Sequence, residues 1–152
     1  MGELRNPSDG AIASAIYWAM QSPCAKSQRG AVAMEGGGGI GAIGYNAPAL
    51  GKCDGTDACR RHCSKRCEHA EAACMRRLHH TGTRPVEIVH VKLVDGGLVH
   101  SGPPSCWQCS KAVVAHPQVT AVWLFHADGW RRYGDEEFHM LTLEHCGIDH
   151  VE

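Results

Sequence analysis

The chain has 152 residues, with 15 Lys and Arg against 16 Asp and Glu, and its formal charge of −1 excludes a polybasic nucleic-acid coat. Hydrophobic residues make up 43%, which excludes a disordered chain, and the length suits a single domain over 1–152 that buries about two-thirds of its unfolded surface. No apolar run approaches the roughly 20 residues of a membrane span, and 1–10 lacks a basic-then-apolar leader pattern, so a cytoplasmic protein with reduced thiols is expected.

Ser8 is placed to cap a helix over 8–20, in which Ala11, Ile12, Ala15, Ile16 and Ala19 recur at helical spacing before Ser22-Pro23 ends it. Strands over 30–34 and 40–45 flank four glycines at 36–39, a run that tolerates positive φ and suits a hairpin turn. Read instead as a phosphate nest, the run lacks the Lys-Ser/Thr of a P-loop. Residues 46–55 read as loop, and 68–80 as a helix stopped by Gly82. β-Branched residues predict a strand over 86–94, followed by an Asp95-Gly96-Gly97 turn and a segment at 98–100 that pairs back. After the rigid Gly102-Pro103-Pro104, Ser105 is expected to cap a helix over 106–115. An apolar strand over 119–126 leads to a loop at 128–134. A last helix opens on Asp135, Glu136 and Glu137 and ends at Gly147, with a short final strand at 148–151. Strands joined through helices predict an α/β fold, a mostly parallel or mixed sheet with helices on both faces.

Nine Cys and 11 His stand out in so small a chain. His69 and Glu71 sit two apart at the start of one helix, and Cys106-x-x-Cys109 opens another. One imidazole and two thiolates make a three-ligand zinc site with a fourth position left for water, and helix N-termini favour thiolate over thiol. Zinc brings the pKa of bound water from near 16 to about 7, and Glu71 can carry that water's protons without being a ligand. This chemistry replaces an exocyclic amine on a heteroaromatic ring and releases ammonia. Alone, a C-x-x-C suits a redox pair or a structural zinc. One large structural cysteine cluster would leave Glu71 without a task.

With these residues the chain resembles the zinc-dependent cytidine and deoxycytidylate deaminase superfamily, in pattern the deoxycytidylate type. His69-Ala70-Glu71 matches its H-A-E, and Cys106-Trp107-Gln108-Cys109 its C-x-x-C. Asn46 in Gly44-Tyr45-Asn46 matches an Asn that bonds the substrate's sugar or base. Cys24 to Val32 resembles the approach to the first strand, and Gly147-Ile148 with Val151 the deoxycytidylate-type ending. The sequence departs from the pattern at Ser105, where the family has Pro before the first Cys, and 95–102 lengthens the path from strand to site. The resemblance implies a three-layer α-β-α sandwich with a five-stranded mixed sheet, a catalytic zinc on His69, Cys106 and Cys109, and Glu71 as the catalytic acid–base. It also implies a homo-oligomer, and a second, structural zinc on Cys24, Cys53, Cys59 and Cys67, with Cys63 or His62 as substitutes. Cys59, Cys63 and Cys67 stand four apart and share a face if their segment is helical. Free buried thiols are the alternative, and Cys74 and Cys146 read as core.

The expected substrate is a free cytosine nucleotide or nucleoside. A deaminase of single-stranded DNA or RNA, one acting on guanine, adenine or another aminated ring, and a non-catalytic zinc module are the alternatives. Asn46, Ala70 and Ser105 are read as substrate-facing, Asn46 having a turn role as its alternative. Trp107 either stacks on a ring or packs, and His126 is either at the ligand edge of the sheet or structural. Trp130 and Tyr133, on their loop, are expected to close over the base. Arg60, Arg61, Lys65 and Arg66, joined by Lys26 and Arg29, fit a phosphate or a solvated face, as do Arg131 and Arg132. Seven carboxylates from Asp128 onward disfavour an extended nucleic-acid path. Most of the remaining His, His90 among them, are scattered singly, His79-His80 ends a helix, and none adds a cluster.

Overall fold

The computed structural model describes residues 2–49, 53–78 and 84–148. Its elements are β1 (Glu3–Leu4), α1 (Asp9–Ala19), β2 (Gln28–Glu35), β3 (Ile40–Tyr45), β4 (Ala47–Pro48), α2 (Asp57–Arg66) and β5 (Cys67–Glu68). There follow α3 (Ala70–Arg77), β6 (Val86–Val94), β7 (Gly97–Val99), α4 (Trp107–Ala115), β8 (Val119–His126), β9 (Gly129–Gly134) and α5 (Asp135–His145). One mixed sheet has the order β1-β9-β8-β6-β2-β3, with β7 also on β6, and β4 pairs with β5 apart from it. Within the sheet β6 and β8 run parallel and the other registered pairs antiparallel. Five strands have six to nine residues, and β1 and β7 add short pieces.

Alternation along the strands sorts side chains to two faces. Val32, Val89, Val91, Leu93 and Trp123 bury against Ala11, Ala15 and Ala19 of α1. Ala31, Ala33, Ile88 and Val122 bury on the other face with Ala70 and Cys74 of α3, Val113 of α4 and Phe138 of α5. The result is the expected three-layer α-β-α sandwich. No helix among the described residues is long and apolar enough to cross a membrane.

Local chemistry explains the elements. Ser8 caps α1, its Oγ accepting the Ala11 N–H at 3.2 Å. At the glycine turn the Gly38 N–H donates to the Glu35 carbonyl at 2.9 Å, with Gly38 at φ 88°. Two glycines let helices touch the sheet backbone. A Cβ on Gly30 would lie 2.1 Å from the Ala15 carbonyl of α1, and one on Gly44 2.4 Å from both the Ala70 carbonyl and the Cys74 nitrogen of α3.

Four expectations are corrected. Residues 129–134 are a strand rather than part of a loop: β9 pairs with β8 from Ala121↔Gly134 to His126↔Gly129. Consecutive arginines hid its alternation, because Arg132 pairs with Glu87 and Arg131 with Asp128. The fifth long strand is therefore β9. Ile148 lies in no strand, and 149–152 fall outside the described residues. Cys106, not Ser105, caps α4, its Sγ accepting the Cys109 N–H at 3.3 Å. α2 ends at Arg66, so Cys67 stands in β5 and does not extend a helical face from Cys59. Gly82 and the side chains of Arg60, Cys63 and Lys65 lie outside the described set.

Candidate metal centre and active site

Two helix starts meet at one end of the sheet. His69 occupies the N-cap position of α3 in extended conformation, and Cys106 that of α4, with Cys109 in the first turn of α4. The His69 Nδ1 lies 3.2 Å from the Cys109 Sγ. Ligand atoms of His69, Cys106 and Cys109 all fall within 4.8 Å of one another, and no other described His, Cys, Asp or Glu residues form such a group of three. The Cys109 thiol, the His69 imidazole and the Cys109 N–H outweigh burial and bring the Cys106 pKa down to about 5. A site that holds Cys106 as thiolate beside a second thiol and an imidazole suits zinc, whose preferred donors are S and N in tetrahedral array.

Glu71, in the first turn of α3, lies outside this trio but lines the same cavity of about 530 Å³. Its Oε1 is 3.3 Å from the Nε2 of His90, which stands on β6 and is 1% exposed. Burial holds the His90 pKa below its ordinary value, so its imidazole is neutral at neutral pH. His90 Nδ1 lies 3.3 Å from the Ser101 Oγ, and Nε2 has no partner in hydrogen-bond geometry. On the β8 side, β6 is registered with β8 through Val89 and with β7 from Lys92, so His90 sits where the two neighbours part. Sequence reading passed over His90. Its signal was the period of two that places Ile88 and His90 on one face, that of α3.

The other expected site residues divide. Asn46, Ser105 and the 101–104 segment line the cavity. The Asn46 side chain is engaged with backbone: Oδ1 accepts the Arg29 N–H at 2.7 Å and Nδ2 donates to the Ser27 carbonyl at 3.0 Å. Ala70 is fully buried under Gly44, and Trp107 stands 42% exposed at the start of α4. His126 accepts or donates a 2.7 Å bond with the Tyr133 hydroxyl. Neither His126, Trp107 nor Ala70 lines the cavity. Trp130 and Tyr133 do not close over a base: β9 turns Trp130 into the α1-side core and Tyr133 into the opposite core. The thiol of Cys146, read as core, donates to the Ser105 carbonyl at 3.3 Å and so ties α5 to the cavity rim. Burial raises the Cys74 thiol to about 12, which keeps it protonated within the core.

Among the remaining cysteines, the Cys59 and Cys53 sulfurs are 3.7 Å apart, and the Ala25 N–H donates to Cys53 at 3.2 Å. Cys24 is buried and, with Cys67, lines the cavity.

No family model matches the chain, and no curated protein does. Solved structures do. The dCMP deaminase from cyanophage S-TIM5 matches at 20% identity over 78% of this chain and 82% of its own, with a TM-score of 0.52. The cytidine deaminase from Burkholderia pseudomallei matches at 17% identity over 88% and 96%, with a TM-score of 0.58. The cytidine deaminase from Mycobacterium tuberculosis matches at 19% over 83% and 91%, with a TM-score of 0.52. These likenesses extend over most of the chain: it has the cytidine deaminase fold.

Proposed function

We propose that the protein is a zinc-dependent deaminase acting on a free cytosine nucleotide or nucleoside. The observation that carries this reading is the convergence of one imidazole and two sulfurs at two helix starts, with the Glu71 carboxylate in the same cavity. His69, Cys106 and Cys109 would hold zinc, which when bound activates water and stabilises developing negative charge. Glu71 moves the protons. Its carboxylate accepts one proton from the attacking water and delivers it to the ring nitrogen, then takes the proton left on the oxygen newly bonded to the ring carbon and gives it to the departing amine as the C–N bond breaks. Water supplies the oxygen, ammonia leaves, and Glu71 ends as it began. His90, with its Nε2 3.3 Å from the carboxylate, is placed to orient it, and the 101–105 rim confines the ring. We also propose a second zinc on Cys24, Cys53, Cys59 and Cys67, supported by the contact between the Cys53 and Cys59 sulfurs.

The test is ammonia release from cytosine, adenine and guanine bases, nucleosides and monophosphates, and from single-stranded oligonucleotides. Turnover of a free cytosine compound is expected. Glu71→Gln is expected to lower it by about a thousandfold or more while one zinc at the His69 site is retained. Undiminished turnover in Glu71→Gln, or release from oligonucleotides alone, would overturn the reading. A metal count of one per chain would remove the second zinc.

A further inference from the structure

We propose that Arg29 and Lys92, with Lys26 beside them, form a subsite for the phosphate of a nucleoside monophosphate, which narrows the substrate to a nucleotide and rests on the deaminase reading above.

Arg29 of β2 and Lys92 of β6 are directly opposed in the antiparallel register. Lys92 follows His90 by two residues, and Arg29 precedes Ala31 by two, so both project to the face that carries Glu71. Like charges directly opposite on one face destabilise a sheet. Among the described residues no carboxylate forms an ion pair with Lys26, Arg29 or Lys92, and the Glu71 carboxylate acts on Arg29 only through space. All three line the cavity that holds the zinc donors. Burial, Arg29 and Lys26 hold the Lys92 pKa below its ordinary value, as expected of a cation waiting for an anion. The backbone beneath is fixed, because Asn46 spans Ser27 and Arg29. The cavity, about 530 Å³, has room for a ring, a sugar and a phosphate. A free nucleotide fits better than a polymer, since Phe138, which also lines the cavity, directly follows Asp135, Glu136 and Glu137 at the start of α5.

Binding can be read without turnover in the zinc-loaded full chain carrying Glu71→Gln. Calorimetric titration would compare deoxycytidine 5′-monophosphate, deoxycytidine and a cytosine-containing single-stranded oligonucleotide. The monophosphate is expected to bind about tenfold or more tighter than the nucleoside. That preference should vanish in Arg29→Gln with Lys92→Gln, and return in part with the charge-keeping pair Arg29→Lys and Lys92→Arg. Equal affinity for nucleoside and monophosphate, a preference that survives loss of both charges, or tighter binding of the oligonucleotide would overturn the subsite. The two readings fail separately. Phosphate preference without ammonia release from any base keeps the subsite and sinks the deaminase, and ammonia release without phosphate preference does the reverse.

Discussion

Glu71 depends on a partner from another layer. His90 reaches from the sheet to bring its Nε2 within 3.3 Å of the carboxylate, outside hydrogen-bond geometry as the two side chains stand, and is itself fixed by burial and by Ser101. A neutral imidazole can meet the carboxylate in either protonation state, by donating to the anion or accepting from the acid. His90→Gln keeps a polar head but shortens its reach, so kcat should fall about tenfold with zinc content and KM little changed. A variant with full kcat would deny His90 this positioning role. Residues such as Glu71, His69 and Cys106 were legible because motif spacing encodes them locally. His90 was not, because its partner lies on a different element and a lone His carries no spacing to read. Trp130 and Tyr133 were misplaced for a related reason: the arginines between them look like solvated loop until Glu87 and Asp128 are seen to neutralise them.

At the level of elements, the site is two helix starts set on one face of a sheet, and a side chain's absence determines how close one of them comes. Gly44 allows α3 to rest on β3, and a methyl there would strike the Ala70 carbonyl and the Cys74 nitrogen. Gly30 does the same for α1 on the far face. Both Gly→Ala changes should cost about 2 kcal/mol or more, since overpacking against backbone cannot relax cheaply. They should differ in function. Gly44→Ala displaces the helix that carries His69 and Glu71 and is expected to lose zinc, whereas Gly30→Ala should unfold earlier yet keep one bound zinc while folded. Equal zinc retention in the two, measured with melting curves, would contradict this account of α3. Strands rich in β-branched and apolar residues, 86–94 and 119–126, were legible to the residue. β9 was not, because its pairing with β8 and the ion pairs of its arginines, rather than its own pattern, mark it as a strand.

For the molecule as a whole, zinc would join parts of the chain that the fold alone holds side by side. A ligand that binds only the native state adds its binding free energy to stability. Chelation should therefore lower the melting temperature by about 5 °C or more, with recovery on adding zinc back. An unchanged melting temperature with the metal demonstrably gone would mean that the donors are not folded around it. The layer architecture was legible from the alternation of helical and β-branched segments. The edge additions β1 and β7 were legible only in part, being two and three residues long and held by pairing alone.

The split of the donors between α3 and α4 also imposes an order on biosynthesis. Chains emerge from the ribosome N-terminus first, so His69 leaves the tunnel while both sulfurs of the trio are still unmade or enclosed. Until Cys106 and Cys109 follow, this site has one of its three donors, the His69 nitrogen. Loading of an ion there would in that sense be a receipt for synthesis past the first turn of α4, and a fragment cut short before Cys106 would be born without the sulfurs to hold one.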